Sequence, residues 1–125
     1  MKPQIIFYQK HQSHVPNLEQ TQAELIQSGF SLCDVFGYDW KYNLSSCYFI
    51  PVVIGDNLNH CAGLLSDFGK ARSRLTAGII WHTSTGYSSP RSVANVQGIQ
   101  SVYLVPGARA PKAFFEALRM MRVVH

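Results

Sequence analysis

The chain has 125 residues, 46% of them apolar and only 14% charged, with a formal net charge of +4. This length suits one domain, residues 1–125, around a single core. Aromatic and β-branched residues run the whole length, which excludes a disordered chain, and no apolar run reaches the roughly 18–20 residues of a membrane span.

Residues 4–8 (QIIFY) form a predicted first strand, followed by a polar loop over 9–15. Pro16 and Asn17 open a helix with Asn17 as N-cap and Gly29 as the C′ glycine. Residues 30–35 alternate as a second strand, and 37–43 form an aromatic-rich turn. Residues 47–54 (CYFIPVVI) are a third strand, in which Pro51 removes a ladder donor and so argues for an edge or a bulge. Asp56 caps a second helix carrying Leu58, Cys61, Leu65 and Phe68 at helical spacing, with Gly63 and Gly69 as weak points. Residues 78–82 (GIIWH) are a fourth strand and 83–90 (TSTGYSSP) a loop. Residues 91–98 read as a short helix or an extended connection. Residues 101–105 are a fifth strand, Pro106-Gly107 a turn, and 110–124 a helix with Pro111 in its first turn. The order βαββαβ-βα leads to a single α+β domain, with a mixed or antiparallel sheet and helices on one face. A ferredoxin-like or related arrangement has this order.

Charge is divided along the chain. Residues 1–65 carry Lys2, Lys10 and Lys41 against Glu19, Glu24, Asp34, Asp39 and Asp56, a net −2. Residues 66–125 carry Lys70, Arg72, Arg74, Arg91, Arg109, Lys112, Arg119 and Arg122 against Asp67 and Glu116, a net +6. Six of those eight cations are arginine, which suits bidentate recognition of phosphate or carboxylate. Lys70, Arg72, Arg74, Arg91 and Arg109 are therefore the candidate anion-binding residues. The hydroxyl-rich loop from His82 to Arg91 is the segment best suited to add hydroxyls and amides. Neither GxxxxGK[ST] nor GxGxxG is present, so a nucleotide cradle of either type is not expected.

Tyr38, Asp39, Trp40, Tyr42 and His82 are the candidate residues of an aromatic-lined pocket. His11 and His14 have HxxH spacing in a loop, and His60 adjoins Cys61. No pair of pairs has zinc-ligand spacing, so no metal site or cofactor is expected. Cys33, Cys47 and Cys61 form no CxxC, and the first ten residues lack the apolar run of an export signal. Reduced thiols in a cytoplasm are the expectation.

The sequence thus leads to a small binding protein with a basic face for nucleic acid or a phosphate-bearing ligand. Catalysis of its own is not expected, because no paired carboxylates or nucleophile–base set stands out. The competing classes are a small-molecule binder or enzyme using the aromatic pocket, and a protein-interaction module of inhibitor or antitoxin type. Low charge and many aromatics add the expectation of a homodimer.

Overall fold

The computed structural model describes residues 2–37, 48–72, 75–84, 86–94 and 96–123. Six strands form one sheet: β1 (Gln4–Gln9), β2 (Ser31–Phe36), β3 (Phe49–Gly55), β4 (Leu75–His82), β5 (Arg91–Val93) and β6 (Ile99–Pro106). Among the described residues three α-helices accompany the sheet: α1 (Leu18–Gln27), α2 (Leu58–Arg72) and α3 (Lys112–Met120). None of these helices is long and apolar enough to cross a membrane.

The strand order is β2-β1-β3-β4-β6-β5. The first five strands in that order are parallel, and β5 alone runs antiparallel, along β6. The expectation of a mixed sheet holds, with helices and strands combined in one α+β unit. The ferredoxin-like arrangement does not: the sheet is mostly parallel and its helices lie on both faces. The reason is visible in the strands. Ile5 and Phe7 pack with α1 and α3 side chains such as Leu25 and Phe114, while Ile6 and Tyr8 pack with Cys61, Leu65 and Phe68 of α2. In β3 and β4, Val52, Ile79 and Trp81 face the first cluster, and Val53 and Ile80 the second. Both faces of each central strand are buried, which is why QIIFY and FIPVVI read as continuous apolar runs rather than alternations. Ranked outward from β1, the parallel strands follow the 2-1-3-4-5 order of doubly wound sheets, with β6 in the fifth place.

Several local expectations are corrected. β3 lies inside the sheet, between β1 and β4; Pro51 is tolerated because it precedes the first β3–β4 pair, Val52 with Ile79. The cap of α2 is Asn57, not Asp56: Asn57 Oδ1 accepts the His60 amide at 2.9 Å. Of the two readings of residues 91–98, the extended one holds at 91–93, which form β5. Asn17 stands at the N-cap of α1, but with φ 70° and no side-chain cap bond. At Gly69 a Cβ would lie 2.8 Å from the backbone of Gly98, so α2 and the start of β6 touch backbone to backbone and the glycine has a packing reason.

The C-terminus of α1 follows its sequence signal. Gly29 has φ 93°, its amide bonds Ile26 O at 3.0 Å, and the Phe30 amide bonds Leu25 O at 3.0 Å. This is the paired 5→2 and 6→1 pattern of a Schellman ending, with Phe30 and Leu25 sharing the core.

Candidate functional site

In a doubly wound sheet, ligands bind outside the carboxyl ends of the strands, where the chain leaves each strand for a helix on one face or the other. Gly55, His82 and Pro106 mark this edge, since they are level in register across β3, β4 and β6. The loops there are cross-tied. The Gly37 amide bonds the carbonyls of Gln9 and Lys10 at 3.1 Å each, and the Thr83 amide bonds Gly55 O at 3.0 Å. Ser13 donates to Oε1 of the buried Gln9 at 3.2 Å. The side-chain amide of Asn17 donates to Gly107 O at 3.0 Å, which joins the loop before α1 to the loop after β6. His82 is half-buried, and its Nδ1 accepts the Ser84 amide at 3.3 Å.

The loop after β4 passes from His82 to β5, at the far side of β6, and so crosses the carboxyl end of β6. There it meets the segment between β6 and α3. Ser88, Arg109, Lys112, Ala113 and Glu116 line an open concavity of about 290 Å³. Arg109 ends a short 3-10 turn, Gly107–Arg109, and Lys112 opens α3. Both cations are exposed, and neither is ion-paired among the described residues. The Phe115 amide bonds Pro111 O at 3.0 Å, and the amides of Lys112, Ala113 and Phe114 ahead of it have no partner among the described residues, as is usual for the first turn of a helix. Two cations, a serine hydroxyl and a helix N-terminus are donors of the kind that hold a phosphate. Glu116, one turn along α3, supplies the single carboxylate on the wall. At the start of β5, just after the loop that holds Ser88, Arg91 lies over the ring of Tyr87, 4.2 Å from its centroid.

Of the residues singled out for anion binding, the described ones do not all lie at one edge of the sheet. α2 leaves the carboxyl end of β3 and returns to the start of β4, so it runs against the strands. Lys70 and Arg72, at its end, therefore stand at the opposite edge of the sheet from Arg109. Arg91, paired with Leu104, belongs with Arg109 near the carboxyl edge. Arg74 lies outside the described residues, as do Tyr38, Asp39, Trp40 and Tyr42 of the aromatic pocket; His82 is its one described member. His11 and His14 are exposed, and among the described residues no three His, Cys, Asp or Glu side chains converge as metal ligands.

The sequence did not reveal the Asn17–Gly107 tie or that Ser88 and Lys112 line one concavity. Pro106-Gly107 directly after an apolar strand, with cations at 109 and 112 around a helix start, was the available signal. Cys61 is buried beneath Gly55, where a Cβ would stand 2.7 Å from its Sγ. Burial, reinforced by the Asp56 carboxylate, pushes this thiol up to about 11. It is a core thiol, not an activated nucleophile. Comparison of the chain with protein-family models, with characterised proteins and with solved structures finds no significant match.

Proposed function

We propose that this chain is a small binding protein that holds a phosphate-bearing small ligand at the carboxyl edge of its sheet, with no catalysis of its own. The observation that carries this reading is the concavity where Ser88, Arg109 and Lys112 meet at the N-terminus of α3. The two exposed cations provide charge, the loop hydroxyl and helix amides provide directed donors, and the position is the one doubly wound sheets use. The division of Lys70 and Arg72 from Arg91 and Arg109 favours a compact anion over a nucleic-acid strand. A strand needs a continuous cationic track.

Calorimetric titration distinguishes these two partners. Under this reading, a 5′-mononucleotide binds as tightly as a single-stranded oligonucleotide, and Arg109→Glu abolishes both. Affinity that rises steeply with oligonucleotide length, and is lost on charge reversal of Lys70 instead, contradicts it.

A further inference from the structure

The amino edge of the sheet carries a hollow of its own, and two small side chains make it. Ala77 and Ser101 are the third residues of β4 and β6 and are level in register. Farther along the same face come Ile79 and Trp81 on β4 and Tyr103 and Val105 on β6, which pack in the core under α1 and α3. Ala77 and Ser101 fill much less of that layer, and α3 ends at Met120. About 580 Å³ is left open between these two residues and the turn at Met121, Arg122 and Val123. That volume suits a small organic molecule.

Its rim is built from fixed groups. The Tyr48 carbonyl accepts the Gln4 amide at 3.2 Å, and the Tyr48 hydroxyl is hydrogen-bonded to that of Thr76, so the exposed phenol ring is held in place. Met121 and Val123 add apolar surface, and Gln100 and Ser101 add polar groups. Arg122 is the one charged residue among the described lining residues. It is exposed, and its guanidinium has no partner among the described residues.

The backbone gives an independent reason to single out Arg122. Its amide bonds Arg119 O at 3.0 Å and the Val123 amide bonds Leu118 O at 2.8 Å, the same Schellman ending that α1 has. In α1 the left-handed position is Gly29; in α3 it is Arg122, at φ 62°. Glycine takes this conformation without strain, and arginine does not. A cation near a helix C-terminus offsets the dipole, but Arg119 already stands in the last turn of α3. What Arg122 adds is a guanidinium at the hollow.

We propose that this hollow binds a small organic monocarboxylate, with Arg122 forking onto the carboxylate and the body of the ligand lying against Tyr48, Met121 and Val123. One guanidinium matches one carboxylate. A phosphate dianion fits poorly, because a single lining cation stands beside the negative pole of α3. The site lies at the opposite edge of the sheet from Arg109, and neither depends on the other.

Titration of the labelled whole chain with 4-hydroxybenzoate, followed by NMR, tests this. Saturable shifts are expected at Thr76, Ser101 and Val123, with dissociation in the millimolar range for so few ligand atoms. The neutral 4-hydroxybenzamide is expected to bind at least about tenfold more weakly. Arg122→Gly is expected to lose affinity for the acid by a similar factor while melting no lower than the wild type, since it relieves the left-handed arginine. Ser101→Leu fills the floor and is expected to abolish the shifts. A wild type without saturable shifts there overturns the proposal, as do equal affinities for the acid and the amide. So does an Arg122→Gly chain that keeps its affinity or melts below the wild type.

Discussion

The indole of Trp81 rests against the backbone of Gly107: a Cβ on Gly107 would lie 2.3 Å from Trp81 Nε1. Trp81 is fully buried, packs against Phe114 in a tilted ring pair with centroids 5.9 Å apart, and its indole N–H has no hydrogen-bond partner among the described residues. The turn that delivers Arg109 is therefore seated on the core through a contact only glycine permits.

Gly107→Ala is expected to destabilise the fold by about 1–3 kcal/mol through overpacking. Trp81→Phe removes the obstructing ring edge, so the double variant should be more stable than the sum of the two single losses. Urea denaturation of the four proteins measures this coupling. Strict additivity contradicts the contact.

Asn17 holds the same turn from the other side, through its amide to Gly107 O at 3.0 Å. Asn17→Gly keeps the left-handed backbone at φ 70° and loses only that bond, with an expected cost of about 1 kcal/mol. Asn17→Val adds a β-branched side chain at positive φ and should cost clearly more. Thermal melts of the two variants give the comparison.

Cys61 sets a pH dependence. Its thiol is held protonated in the folded chain up to about 11, against an ordinary value of 9.0. The folded state thus keeps a proton that the unfolded state releases. This contribution to stability is complete below pH 9 and is lost as the pH rises from 9 towards 11. Cys61→Ala should flatten that part of the stability–pH curve. At neutral pH a thiol reagent should label the half-buried Cys33 before Cys61.

The strands, helices and their order were largely legible, because QIIFY, FIPVVI and GIIWH are unbroken apolar runs and Gly29 stops α1. How the strands are arranged was not. Residues 37–43 read as an aromatic-rich turn and the sheet as mixed or antiparallel, yet β2 and β3 lie on either side of β1 and are parallel to it. The unbroken apolar runs were the overlooked evidence, since a strand buried on both faces has no polar side to show. The candidate site was legible in part. Arginine content and the hydroxyl loop point to Arg91, Arg109 and Ser88. Chain order alone does not reveal that α2 runs against the strands and carries Lys70 to the far edge. Long-range hydrogen bonds such as Asn17 to Gly107 leave no local pattern.

The wall of the concavity offers a further check. Glu116 is its one carboxylate, and its removal should favour an anion. Glu116→Gln is expected to raise the affinity for inorganic phosphate, while Lys112→Glu lowers it, with unchanged melting temperatures in both. An unaltered affinity in both variants places the ligand elsewhere.

The most direct test of the anion site is a titration of the labelled chain with inorganic phosphate, followed amide by amide by NMR. Saturable shifts at Ser88 and from Arg109 to Ala113, absent in Arg109→Glu, are the predicted result. Shifts confined to the end of α2 around Lys70, or no saturable shifts at all, would contradict a phosphate site at the carboxyl edge of this sheet.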